Sequence, residues 1–392
     1  MKNYRRDNWK AGINNIARPN RLPDGALRDL LNLNPGEGGI LTLRAGYEKV
    51  ADCTDCRFAA GINGRVLLVD DGKVLAYANG ATRQIGSLTA GADVAGTIHN
   101  GELFLSTRAE GLRTDGETVR AWTVRAPAFT VEVVPGGGML SGRYRVAVTA
   151  VEDGVESGTD SMLVTLPAGA AMRVLSADPR ALRVYASVEN GETLYYQGPL
   201  IGGATALGGV SDNTETLATD GLVPMPACDE YVSHRGVIAG RLGRYVFLSE
   251  PMQPHLMHPV RGFLQYPVDV TVLASGSAGL YVVADRTYLV TGAETLTPEQ
   301  SRLLEVGGVA GTAVTLPDGR VMWFSPSGPV VAGPDGVRLV SQGVYAPDVA
   351  ATGAAGLVDH DGNQMVVTTM RGSPLNQTLA AGDFADLEIG ND

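Results

Sequence analysis

Ten of the twelve Asn-Gly or Asp-Gly dipeptides lie between short β-type runs and constrain the fold more than any other feature. They are Asn63-Gly64, Asp71-Gly72, Asn79-Gly80, Asn100-Gly101, Asp115-Gly116, Asp153-Gly154, Asn190-Gly191, Asp318-Gly319, Asp335-Gly336 and Asp361-Gly362. A type I′ hairpin turn needs positive φ at both central residues, which these residues tolerate. Alternating or apolar β-type runs follow many of them: Arg65–Asp70, Lys73–Ala78, Glu102–Ser106, Arg320–Ser325, Val337–Ser341 and Asn363–Thr369. Turns at Gly64, Gly72 and Gly80 lie eight residues apart and describe a tight antiparallel meander. With 51 Gly and 21 Pro in 392 residues and no triplet period, the composition favours turns over long helices. Only Gly25–Asn32 and Thr297–Glu305 read as short helices, the second with Pro298 near its start. The expected fold class is all-β.

The meanders fall into units of about 40 residues, the span of one four-stranded propeller blade. Thr54–Thr89, Ala92–Val124, Glu230–Tyr266, Val268–Val306, Val309–Gln342 and Val349–Arg371 are the candidates. They predict a β-propeller of about six blades, with Ile40–Ala45 as an N-terminal closing strand. Residues 126–226 break the pattern. There Tyr144, Val146 and Val148 alternate inward with Arg143, Arg145 and Thr149 outward, and several further short strands follow. This reads as a β-sandwich, similar to a fibronectin type III module, inserted between the second and third blades. The expected organisation is an extended basic arm (1–39), propeller (40–125), inserted sandwich (126–226), propeller (227–372) and C-terminal tail (373–392).

Charge is unevenly placed. Residues 1–28 hold seven basic and two acidic residues, net +5, whereas the whole chain carries −11 and the other 364 residues −16. The arm therefore suits an acidic partner or nucleic acid, whereas the body repels phosphate. Arg5, Arg6, Lys10, Arg18, Arg21 and Arg28 are the candidate assembly residues. Only four lysines occur, none in a phosphate-binding loop motif. No apolar run approaches the about 20 residues that span a membrane, so no membrane insertion is expected. The N-terminus lacks the apolar stretch of a secretory signal.

Chemistry-bearing motifs are sparse. Cys53-Thr54-Asp55-Cys56 has redox or half-zinc spacing but no second pair, so two thiols at a strand-to-turn junction fit as well. His255-x-x-His258 sits between Pro254 and Pro259, which disfavours a helix that would align the two rings. Asp359-His360-Asp361-Gly362-Asn363 faintly resembles a calcium loop without its distal glutamate, and a hairpin turn explains it. Gly36–Gly39 precedes a strand, the wrong order for a phosphate cradle. Adjacent carboxylates such as Asp70-Asp71 point to opposite faces in a strand. No residue is assigned a catalytic, cofactor-binding or metal-ligating role, and an enzyme is not expected.

Two stretches carry a family resemblance. Gly12-Ile13, Leu22-Pro23-Asp24-Gly25, Asn32 and Leu41-Thr42-Leu43-Arg44-Ala45-Gly46 form an arm that resembles the N-termini of tailed-phage tail-nozzle (tail tubular protein B) and packaged-DNA-stabilisation proteins. Downstream, Val246-Phe247-Leu248-Ser249-Glu250-Pro251, Phe263–Pro267, Gly279–Val283 and Tyr288–Gly292 are similar to phage and prophage structural propellers. The resemblance implies a virion protein that forms a ring with itself, often a hexamer. It would be assembled in the bacterial host cytoplasm, docked on the adaptor or tail tube, near fibre or spike proteins, and in transient contact with DNA in the exit channel. A second reading stays open: a receptor- or glycan-binding propeller using Tyr195-Tyr196, Trp122 or Trp323. A propeller enzyme is the third.

Overall fold

A computed structural model describes residues 8–30, 32–35, 39–43, 52–295, 297–347, 349–360 and 363–370. The chain is all-β, with no α-helix among the described residues. It divides into two compact units. One comprises Cys53–Gln265 with Ala293–Thr297, and the other Met1–Asp52, Tyr266–Gly292 and Pro298–Asp392.

The larger unit holds three four-stranded antiparallel sheets. Sheet I runs Cys56–Ile62, Arg65–Asp70, Lys73–Ala78 and Ala81–Ser87. Sheet II runs Ala95–His99, Glu102–Ser106, Gly111–Thr114 and Val119–Ala121. Sheet III runs Glu230–His234, Val237–Leu242, Tyr245–Leu248 and Phe263–Gln265. Their hairpins turn where the sequence predicts. Asn63, Asp71, Asn79 and Asn100 have φ of 46–51°, and each following glycine is also left-handed. Asp318 and Asp335 keep negative φ and only their glycines turn positive, so those corners are of another type. Asp361-Gly362 lies outside the described residues.

Both faces of sheet II are buried. Strand residues alternate sides, so Leu103 and Leu105 join Leu67, Val69 and Val74 of sheet I in one core. Phe104 instead joins Trp122, Tyr231 and Ile238 in a second core shared with sheet III. The Trp122 ring packs edge-on against Phe104 (5.3 Å) and Tyr231 (4.8 Å), and its indole N–H donates to the Pro254 carbonyl at 3.0 Å. His99 Nδ1 and Ser233 Oγ, 2.8 Å apart, join sheets II and III directly.

Between these sheets the chain builds a two-sheet sandwich. One sheet has Thr130–Met139, Ala170–Leu175 and Ala204–Leu207. In the other, Gly142–Glu152 pairs with Met162–Leu166 and with Val155–Glu156 on one edge and Leu182–Ser187 on the other, followed by Leu194–Leu200. Tyr144, Val146, Val148 and Ala150 face the shared core with Met172, Val174 and Val184. Thr149, expected outward, is fully buried. Ala147, Tyr185 and Leu194 form a second cluster on that side, and the Thr149 hydroxyl donates to Glu156 Oε1 at 2.6 Å.

The second unit carries sheet IV (Val272–Ser275, Leu280–Val283, Thr287–Thr291, Glu299–Leu304) and sheet V (Val314–Thr315, Val321–Ser325, Gly328–Gly333, Gly336–Leu339). They share a core around Val283, Tyr281 and Trp323. Three sequence expectations are corrected here. Thr297–Glu305 is not helical, because Glu299–Leu304 pairs with Thr287–Thr291 as an outer strand whose polar side chains suit an exposed edge. Gly25–Asn32 is not helical either; Ala26–Leu27 bridges Gly12–Ile13 in parallel, with Ala26 buried. Among the described residues, Leu41–Leu43 of the expected closing strand pairs with Leu33–Pro35, a local partner, and not with a C-terminal strand. Among the described residues the sixth expected unit holds one hairpin, Gly353–His360 with Asn363–Met370.

Truncating Trp122 to Ala removes the ring that fills the core between sheets II and III. It should cost about 3–5 kcal/mol, read by chemical denaturation.

Candidate functional site

The N-terminal segment is stitched to its own unit. The Trp9 N–H donates to the Gly39 carbonyl at 2.9 Å, and Asn14 N–H to the Leu27 carbonyl at 2.7 Å. Gly39 has φ +82°, and a Cβ there would sit 2.7 Å from the Trp9 nitrogen, so glycine is required. The Asn15 amide makes two bonds to the Ala346 backbone, donating at 2.7 Å and accepting at 2.9 Å.

On this scaffold Lys10, Arg18, Arg21 and Arg28 are all exposed. None makes an ion pair among the described residues, and Arg28 spends Nη1 on the Ala17 carbonyl. Arg5 and Arg6 lie outside the described residues. Body arginines behave differently: Arg57, Arg65, Arg83, Arg120 and Arg145 each face a carboxylate. Apolar side chains share the exposed segment, with Ile40 62% and Leu43 76% accessible.

A second site is one that the sequence did not signal. A cavity of about 400 Å³ in the larger unit is bounded by sheet II, the Gly154–Glu156 hairpin, Ala218-Thr219 and the Met252–His255 loop. Arg113 enters from sheet II, with Nη1 on Glu102 Oε2 at 3.1 Å and Nη2 on the Asp153 carbonyl at 2.9 Å. Glu102 also accepts from Arg120 at 3.2 Å. Phe104 and Trp122 supply the apolar wall. Three of the lining residues, Arg113, Thr219 and Gln253, each also keep one fully buried side-chain atom (Nε, Oγ1 and Oε1) without a hydrogen-bond partner. These residues come from segments over a hundred positions apart, so no local spacing could have revealed them.

The remaining sequence candidates have structural explanations. His255 Nε2 is 2.8 Å from the Glu156 carbonyl, and His258 Nδ1 accepts from the Val260 and Arg261 amides. Among the described residues no group of three or more His, Cys, Asp or Glu is placed to hold a metal. Cys53 and Cys56 are exposed, whereas Cys228 is buried, and burial pushes its thiol up to about 12. Trp122 and Trp323 are core residues; Tyr195 and Tyr196 are half-buried, with the Arg183 guanidinium 4.2 Å above the Tyr196 ring.

No family model matches the sequence. No curated protein matches it either. Distant likenesses exist among solved structures. One is BBS1N in complex with ARL6DN, at 10% identity over 83% of this chain and 96% of that one, with a TM-score of 0.34. Another is the extracellular domain of the hybrid two-component system BT3049 from B. thetaiotaomicron, at 9% over 81% of this chain and 39% of that one, TM-score 0.33. A third is apo AztD from Citrobacter koseri, at 12% over 79% and 89%, TM-score 0.27. At these scores the likeness says nothing about function, and none of it bears on the tail-protein resemblance.

Burial pushes His99, His234 and His255 below the ordinary imidazole value of 6.5, so the folded protein holds them neutral. Arg113 adds to this at His255; at His234, Arg235 lowers and Glu294 raises. Unfolding lets these rings take up protons below pH 6.5, so the unfolded state binds more and stability is lost as pH is lowered. The melting temperature should drop between pH 7.5 and 5.5, and a flat profile there contradicts buried neutral imidazoles.

Proposed function

We propose that this chain is a structural protein of a phage tail, a nozzle-like ring subunit that works by contact rather than catalysis. The observation that carries the reading is the exposed N-terminal segment, where Lys10, Arg18 and Arg21 have no ion-pair partner among the described residues and Ile40 and Leu43 are also exposed. Unpaired cations beside apolar side chains are what a docking surface for an acidic neighbour offers. The body of the same chain carries −16, which provides that neighbour in a second copy and keeps a DNA channel from holding its cargo. Sheets buried on both faces are blade-type units, and a ring of rigid blocks packs well in closed symmetry. We take the sandwich as fibronectin type III-like on its strand order. Met162–Leu166, Gly142–Glu152, Leu182–Ser187 and Leu194–Leu200 occupy the places of strands C′, C, F and G. The adaptor or tube above the ring is the second partner.

Reversing Lys10→Glu, Arg18→Glu and Arg21→Glu together tests this. The triple variant should melt within a degree or two of the parent, because exposed unpaired side chains contribute little to folding. It should also fail to form rings by negative-stain imaging and be absent, by mass spectrometry, from purified particles. Equal incorporation of variant and parent would sink the assembly role. Absence of the parent protein from purified virions would sink the tail assignment itself.

A further inference from the structure

We propose that Cys53 and Cys56 form a reversible dithiol–disulfide couple, a covalent clip at the entrance to sheet I that closes when the protein meets a small-molecule disulfide such as oxidised glutathione. This inference stands whether or not the chain belongs to a tail. Cys-x-x-Cys spacing by itself fits two idle thiols equally well. Folding adds three things to it. Both cysteines are exposed, so a dissolved disulfide can reach either sulfur. The chain bends at both intervening residues, Thr54 and Asp55, so the two cysteines flank one tight bend. A disulfide needs its Cα atoms within about 7 Å, which is the span of a four-residue turn.

The third is that the bend is held from inside by a buried carboxylate. Asp70 is 9% exposed, and its Oδ1 accepts from the Thr54 N–H at 2.9 Å and from the Asp55 N–H at 2.6 Å. Asp70 is itself placed by the ladder of sheet I, where it stands opposite Cys56. The Asp71 N–H adds a further bond, donating to the Asp55 carbonyl at 3.1 Å. Three hydrogen bonds therefore shape the bend while both thiols are reduced. Closing the ring then orders little that folding has not already ordered, and each thiol meets the other at a raised effective concentration. No group of three or more His, Cys, Asp or Glu is placed to hold a metal among the described residues, which favours a bond between the two sulfurs over a shared ion. Cys228 is the contrast. It is buried in the core between sheets II and III with its thiol pushed up to about 12, so it stays out of the exchange.

The chemistry is thiol–disulfide exchange. The thiolate of one cysteine attacks glutathione disulfide, forms a mixed disulfide and expels one glutathione. The other cysteine, deprotonated in turn, attacks the protein sulfur of that mixed disulfide and expels the second. Two protein thiols are oxidised to one disulfide, one glutathione disulfide is reduced to two thiols, and both cysteine protons end on glutathione.

The test takes the full chain, reduced and folded, through glutathione buffers of rising disulfide content. Acid quenching, unfolding and alkylation follow, and intact mass and peptide mapping read the result. The folded protein should lose the mass of two hydrogens in one step, with Cys53 joined to Cys56 and Cys228 still open to alkylation. Its equilibrium constant with glutathione should exceed that of the same chain unfolded in concentrated urea by about tenfold, the effect of a bend shaped in advance. That tenfold is about 1.4 kcal/mol, so the oxidised protein should melt about 3–6 °C above the reduced one. Asp70→Ala withdraws two of the three bonds and should move the folded constant toward the urea value. The comparison with urea needs no variant, so it decides the matter even if Asp70→Ala folds poorly. Two glutathione adducts without a Cys53–Cys56 bond, dimers linked through either cysteine, or a folded constant no higher than the one in urea overturns the proposal.

Discussion

A sheet that is apolar on both faces has to be held between two neighbours. Glu102–Ser106 sets this requirement in its shortest form: Leu103 and Leu105 need sheet I, and Phe104 needs sheet III. Neither face could be left to water without exposing large side chains, so sheets I, II and III are mutually obligatory. The same demand links sheets IV and V through Tyr281 and Trp323. Sequence distance is secondary to it. Sheet III begins at Glu230, more than a hundred residues after sheet II ends at Ala121, yet the Phe104–Trp122–Tyr231 stack makes them direct neighbours.

The excursion between them folds as a separate sandwich with its own core, so it does not need to borrow apolar surface from the sheets. It still has to be moored. His255 to the Glu156 carbonyl and Arg113 to the Asp153 carbonyl tie its Val155–Glu156 hairpin back to the blade-type sheets. Polar moorings leave gaps where apolar packing would close them, and the cavity beside sheet II is such a gap.

Much of the fold was legible because its corners are chemical. Asn63, Asp71, Asn79 and Asn100 turn where their φ tolerance predicts, and five of six expected units are four-stranded sheets. What failed was anything decided by a neighbour. Glu299–Leu304 has helix-forming residues, but a ladder to Thr287–Thr291 outweighs weak intrinsic propensity. Thr149 looked like a solvent-facing residue, yet it is fully buried with its hydroxyl donating to Glu156. Of the six arm cations, Lys10, Arg18, Arg21 and Arg28 are exposed, and Arg5 and Arg6 lie outside the described residues. The cavity was invisible for a different reason. Arg113, Thr219 and Gln253 share no motif and meet only once three segments have folded.

The two bonds between Asn15 and Ala346 bridge 331 positions. Synthesis at about 5–20 residues per second separates the emergence of these two partners by roughly 17–65 seconds. For that interval the leading segment has left the ribosome with its anchor to Ala346 unmade. Fastening of this bond pair is therefore a late event of biogenesis, and slowing translation before codon 346 would lengthen the interval in which it is unmade.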